Sequence, residues 1–388
     1  MEKQLSFCVF LIMEGDGTMF VANKDDHSVL AIDATRESKY TCPGCGQFVI
    51  LRHGQTRLSH FAHHAGADCE VFSEGETQAH LTGKTRIFNW CRKNHLAVKL
   101  EAYLPELHQR PDILVNWHHH WTAIEFQCSP ISLEKLSERT RGYYEHGYKV
   151  WWILGPTYLA RKLTLEKLSK FSYFQKSLNL FISFYNPTND QFLVKHHLTQ
   201  DLFGKIRWVD YNFVPDKKAF NELFRQDNQY DVLKSYHAYR EALELQRRLL
   251  GRYTDPRLRK VQNFCYLHHL NLAGCPWLIH GRLFEFPTGV TTPLEIKVRF
   301  LVKLTQVSSK RSFSYQEFFA WFEYISGSSM LKFPNVARQK INVEMNFQQF
   351  LAELLSNEVV QLDHECYRIN KLPCWYRDLT QKLNFFPA

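Results

Sequence analysis

Three polar side chains interrupt the stretch RPDILVNWHHHWTAIEFQCS: Asp112 directly after a proline, then Glu125 and Gln127 inside an apolar run. Pro111 imposes an extended approach, so Asp112 opens a strand. Glu125 and Gln127 are two apart on the next predicted strand and therefore share a face. If the two strands are hairpin neighbours, Asp112 approaches the same spot. Paired carboxylates repel and are costly to bury unless a cation compensates them. The pattern therefore points to Mg2+ (or Mn2+) held by Asp112 and Glu125. Such an ion activates water and offsets charge at a phosphodiester. The competing reading leaves all three as strand-end polar groups facing water.

A second set precedes them. Glu76, His80 and Lys84 recur every four residues and lie along one helical face. That stripe continues into Ile87, Phe88 and Cys91, so the polar trio shares its side with core-forming residues. This is the pattern of a helix completing an active site. An exposed helix with Lys84 as an ion-pair partner has the same spacing.

The third set is TCPGCGQFVILRHGQTRLSHFAHHAGADC, which offers Cys42, Cys45, His60, His63, His64 and Cys69. Cys-Pro-Gly-Cys-Gly is a tight turn that aims two thiolates at one point, as a zinc knuckle requires. The second pair comes from His60, His63 and Cys69: either His60 with His63, or His63 with Cys69. Four protein ligands would close the site, so the expected Zn2+ is structural. The alternative is a turn with two thiols among solvated histidines, in a segment with little core of its own.

The elements that must position these residues follow from the pattern. Short strands and turns fill 19–40, and GADCEVFSEG (66–75) has linker composition. From there the order is a helix over 76–93, strands at 98–104, 112–116 and 122–128, a helix N-capped by Ser132 and stopped by Gly147, and the strand KVWWILG. His118, His119 and His120 fall at the hairpin tip as turn residues. Arg139 and Arg141 either touch phosphates or coat an exposed helix face. Trp151 and Trp152 belong to a strand core rather than to a stacking platform.

The fold expected is α+β: an N-terminal zinc-ribbon-like β module (1–73), an αβββαβ core (74–156) and a mostly helical, aromatic-rich C-terminal region (157–388). A long helix is predicted over 230–250, ended by Gly251. Around its end Arg247, Arg248, Arg252, Arg257, Arg259 and Lys260 form a basic patch, suited to nucleic acid or to a solvated helix end.

With 45% hydrophobic and 15% aromatic residues, the 388-residue chain has ample material for packed cores, which excludes wholesale disorder. The formal charge of +9 favours a polyanionic partner, though many soluble proteins are mildly basic. Of ten cysteines only Cys42 and Cys45 form a close pair; the scatter of the rest reads as free thiols in a reducing compartment. The apolar run at 5–13 is too short to span a bilayer and lacks a cleavage site. No segment reaches transmembrane length, and a cytoplasmic protein is expected.

The segments CPGCG…SHFAHH…C, ETQAHLTGK, LEAYLPELHQRPDILV, AIEFQCSPIS and RTRGYYEHGYKVWWILG together resemble the competence protein CoiA family over about 19–155. Members of that family resemble PD-(D/E)xK nucleases, whose restriction-endonuclease-like core has the αβββαβ order. The resemblance implies that Pro111-Asp112 is the PD element and Glu125 the second metal carboxylate. Gln127 stands where that family carries lysine, and a neutral amide cannot supply the lysine's charge in the transition state. Lys84 is the expected replacement. The usual family beginning resembles MFVANKDDHSVLAID, which makes Met19 the expected start.

The function implied is DNA processing in natural transformation: a Mg-dependent nuclease acting on incoming single- or double-stranded DNA, at or near the step driven by RecA-type recombination machinery. Glu76, His80, Lys84 and Gln127 would complete the site around Asp112 and Glu125. The rival is a non-catalytic DNA-binding recombination mediator that keeps a nuclease fold. A third reading makes the C-terminal region a platform for protein partners.

Overall fold

The structure, a computed structural model, describes residues 18–25, 27–53, 59–64, 69, 77–215, 238–251, 255–307, 311–327, 331–336 and 341–386. Its architecture is mixed α and β, and the chain divides into two compact units. The first comprises Met1–Arg161 with Phe184–Gln191 and Pro215–Lys217; the second comprises Lys162–Ser183, Phe192–Val214 and Lys218–Ala388.

The first unit begins with an antiparallel sheet of β1 (Thr18–Met19), β2 (Val21–Lys24), β3 (His27–Leu30), β4 (Tyr40–Thr41), β5 (Phe48–Arg52) and β6 (His60–His63). Their order is β1-β6-β5-β4-β2-β3. Tyr40 pairs with Val49, and Val49 with His63. That row places His63 two strands across from Tyr40, which precedes Cys42 by two residues. The core beneath is small, built on Met19, Tyr40, Val49 and Phe61 together with Cys42 and Cys69. A core of that size is marginal by itself, which is where a bound metal stabilises most.

The same unit continues with helix α1 (Gln78–Lys93), strands β7 (Val98–Leu100), β8 (Ile113–Trp117) and β9 (His120–Gln127), helix α2 (Leu133–Glu145) and strand β10 (Lys149–Leu154). β7, β8 and β9 run antiparallel to their neighbours, and β10 joins β9 in parallel. The αβββαβ order read from the sequence is thus present. His118 and His119 both take positive φ, 48° and 64°, as a two-residue hairpin turn requires. Ser132 caps α2 by accepting from the Lys135 N–H, and Gly147 follows it at φ 79°. α1 seats closely on β9 because Gly83 leaves no side chain against the Phe126 ring. That contact brings the His80 and Lys84 turn of α1 down to the start of β8.

Beyond Arg161 the structure corrects one expectation. Residues 173–213 are strands, not helix: Tyr173–Gln175, Asn179–Asn186, Gln191–Gln200 and Ile206–Phe213. Gln191–Gln200 pairs antiparallel with Ile206–Phe213. The reason is a two-residue alternation, visible in QFLVKHHL and IRWVDYNF, where every second side chain is more buried than its neighbours. Helices follow from Ala238: Ala238–Leu250, Pro256–Leu267, Pro293–Thr305, Tyr315–Ser326 and Ile341–Ser356. They enclose an aromatic core that includes Phe284, Phe300, Phe318, Phe322, Phe347 and Phe350. Of the long helix predicted over 230–250, residues 230–237 lie outside the described residues. Among the described residues no helix is long and apolar enough to cross a membrane. The nine cysteines among them are all free thiols.

Candidate functional site

The knuckle between β4 and β5 carries Cys42 and Cys45. The Gly44 and Cys45 N–H groups both point at the Cys42 sulfur, at 3.3 and 3.5 Å, and Gly46 takes φ 73° to close the turn. Cys45 Sγ lies 3.3 Å from His63 Nε2, and Cys42 Sγ lies 4.0 Å from Cys69 Sγ. One ligand atom from each of Cys42, Cys45, His63 and Cys69 falls within 4.8 Å of all the others. Of the two second pairs left open by the sequence, the structure assembles His63 with Cys69. His60, paired with Arg52 at the other end of β6, stays outside the group.

The donor chemistry fits zinc. Burial, with the Arg110 charge adding to it, lowers the His63 pKa, a shift toward the neutral, ligating form of the imidazole. Burial pushes the Cys42 thiol up to about 12 despite the two N–H donors. Only a cation would hold that sulfur as a thiolate, and Zn2+ does so by direct coordination.

The carboxylates are arranged differently. Asp112 Oδ2 accepts from the Phe126 N–H at 2.8 Å and meets His80 Nε2 at 3.1 Å. The His80 ring stacks on Phe126, with centroids 5.9 Å apart. Lys84, fully buried, donates to Glu101 Oε1 at 2.5 Å and stands 4.0 Å from Asp112 Oδ1. Glu101 Oε2 in turn accepts from Arg110 at 3.2 Å and from the Phe20 N–H at 2.8 Å. Burial raises the Asp112 carboxyl, but His80, Lys84 and the Phe126 N–H outweigh it and hold the group below the usual carboxylate range.

Glu125 belongs to a second network. Its Oε1 accepts from Arg139 and from the Tyr143 hydroxyl, both at 2.5 Å. Burial holds its carboxyl above the usual range; Arg139 pulls it down, and the neighbouring Asp112 charge pushes it back up. Two nearby acids therefore have their pKa values displaced in opposite directions, a pattern concentrated at functional sites. Among the described residues, no hydrogen bond falls on Asp112 Oδ1 or Glu125 Oε2.

Gln127 does not join either network: its amide donates to the Ser129 carbonyl at 2.7 Å and more weakly to the Ser129 hydroxyl. Glu76 lies outside the described residues. Arg141 coats an exposed face, paired with Glu145 at 3.9 Å. Trp152 is fully buried in β10, as a core residue should be. The sequence singles out neither Glu101 nor Tyr143, and it marks Arg139 only as a phosphate contact or a surface residue, whereas the structure pairs it with Glu125. Glu101 is flanked by Leu100 and Ala102, and an acid inside an apolar run was its signal. Arg139 and Tyr143 fall three and seven residues after the buried Leu136, on the inward stripe of α2.

Comparison with known proteins gives two domain matches and one relative. The family model described as competence protein CoiA, nuclease-like domain, matches residues 76–228, and that described as competence protein CoiA, N-terminal domain, matches residues 24–72. Together they cover just over half of the chain. Competence protein CoiA of Bacillus subtilis (strain 168) is 31% identical over 126 residues, which are 32% of this chain and 34% of that protein. The chain therefore aligns with about a third of the length of this curated relative. No solved structure matches. With both of the family's domains present in order, the first closing on a cysteine–histidine cluster and the second spanning the paired carboxylates, the chain belongs to the competence protein CoiA family.

Proposed function

We propose that the chain is a DNA-processing protein of natural competence, with a nuclease core that holds Mg2+ (or Mn2+) at Asp112 and Glu125 and hydrolyses phosphodiesters in incoming DNA. The observation that carries this reading is the pair of acids, Glu125 buried and Asp112 largely so, each with one oxygen outside the hydrogen-bond networks among the described residues, within the nuclease-like segment. The bound ion would supply an activated water and offset charge at the phosphodiester.

The chain's own residues position and neutralise. His80 and the Phe126 N–H fix Asp112 through Oδ2. Lys84, with no surface exposed, acts as a positioning residue between Glu101 and Asp112 rather than as a group that touches DNA. The fixed positive charge beside Glu125 comes from Arg139, while Gln127, held at Ser129, orients water or phosphate at the rim. The Cys42, Cys45, His63 and Cys69 zinc is structural. In this reading the protein works in the cytoplasm, beside RecA-type recombination machinery.

The test is Mg2+- or Mn2+-dependent loss of labelled single- and double-stranded DNA, comparing wild type with Asp112→Ala and Glu125→Ala. Both substitutions should abolish cleavage; activity surviving both would belong to another site and sink the proposal. A second reading, a non-catalytic DNA-binding mediator, is favoured by the Arg139 guanidinium that already neutralises Glu125 and by glutamine at 127. Binding without cleavage in either metal would establish it instead.

A further inference from the structure

The second unit carries a basic surface that the nuclease-like site does not use. The helix Ala238–Leu250 ends in Arg247 and Arg248, Pro256–Leu267 begins with Arg257 and Lys260, and Pro293–Thr305 carries Arg299 and Lys303. Two concavities lie along these helices. One, of about 260 Å³, is lined by Phe203, Arg247, Arg248, Arg257 and Thr292. The other is an open groove of about 500 Å³ lined by Lys260, Phe264, Arg299, Lys303 and Tyr324. Arg257 and Lys260 are one helical turn apart, which links the two.

Five of these six cations share three carboxylates. Glu244 takes Arg247 and Arg248, Asp255 takes Arg257, and Glu295 takes both Lys260 and Arg299. The positive excess is reinforced by two helix N-termini, capped by Asp255 and Thr292, at the first cavity. A solvated helix end would explain the charges but not the rings between them. Arg248 lies 4.1 Å over Phe203, Arg299 4.5 Å over Phe264 and Lys303 4.5 Å over Trp321. Tyr324, beside Lys303, is 81% exposed. Cations spaced along a groove that ends at the accessible face of Tyr324 match a chain of phosphates bearing unpaired bases; in a duplex those base faces are already stacked.

We propose that this surface is a track for single-stranded nucleic acid, with the arginines and lysines on the phosphates and Tyr324 stacking a base. It deepens the proposed function by naming where its DNA partner is held, and it rests on that reading only for the identity of the partner.

The test is fluorescence anisotropy of the full-length protein with a labelled oligothymidylate of about 20 nucleotides, without added Mg2+, over a salt series. Lys260→Gln with Lys303→Gln should weaken binding and reduce the slope of log K against log salt by about 1.4, roughly 0.7 per lost phosphate contact. Tyr324→Ala should weaken binding about 5-fold or more with the slope unchanged. It should leave binding of a duplex unaffected. Wild-type affinity and slope in both variants would overturn the proposal, as would equal loss on duplex and single strand in Tyr324→Ala. So would competition by inorganic phosphate at the concentration that displaces it from any surface arginine, with no preference for the oligonucleotide. Asp112→Ala serves as the separating arm. If it abolishes cleavage while anisotropy is unchanged, both readings stand. If no protein cleaves but the groove variants lose binding, the nuclease reading alone fails.

Discussion

The two candidate metal centres of the first unit are built on opposite plans. At the cysteine–histidine cluster four ligand atoms already converge within 4.8 Å. At the carboxylates the ligands are divided: Asp112 is held by His80 and Lys84, and Glu125 by Arg139 and Tyr143. A convergent thiolate set is stable only around its ion, so metal and fold come together. A carboxylate pair stabilised by the protein's own cations keeps its shape without an ion, as an exchangeable site must.

Breaking the first plan should cost most. Cys42→Ser should remove bound zinc and unfold the β1–β6 sheet, a loss of several kcal/mol at least, read by metal content and thermal melting; retention of zinc and melting temperature would contradict a structural site. Next comes Lys84→Ala, which removes one of the two cations paired with the buried Glu101 and should destabilise by about 3–5 kcal/mol in urea titration. A loss below about 1 kcal/mol would mean that the pair behaves like a surface ion pair.

The pH dependence sharpens the contrast. Asp112 is held low, so its contribution to stability is present above the ordinary carboxylate pKa and is lost as pH falls through its folded value. Glu125 is held high, so its contribution is present below the ordinary value and is lost as pH rises through its folded value. Added Mg2+ should accordingly raise the melting temperature more at neutral pH than near pH ~5, and Glu125→Gln should flatten that difference. The smallest effect expected is from Tyr143→Phe, which removes one hydrogen bond from Glu125 and should cost about 1–2 kcal/mol while leaving zinc content untouched.

The αβββαβ order and the hairpin were legible because strand alternation, a Ser cap and a glycine stop are local signals. Asp112 with His80 was legible for the same reason: each sits at a fixed place on its own element. What escaped was the pairing of charges across elements. Nothing in the spacing shows that Lys84 reaches back to Glu101, or that Arg139 rather than Lys84 stands at Glu125. The choice between His60 and Cys69 likewise depended on the β5–β6 register, which only the assembled sheet settles. The strands at 173–213 were missed although their alternation is plain, because aromatic richness was read as helical core.

One contact has a consequence for how the protein fails. The Phe20 N–H donates to Glu101, the acid that also holds Lys84 and Arg110, so a single carboxylate is shared by the small sheet and the carboxylate-bearing core. Melting either side exposes a buried charge on the other. The cysteine–histidine sheet and the nuclease-like core should therefore unfold in one calorimetric transition, and oxidation of the four-residue cluster would destabilise the carboxylate-bearing core as well.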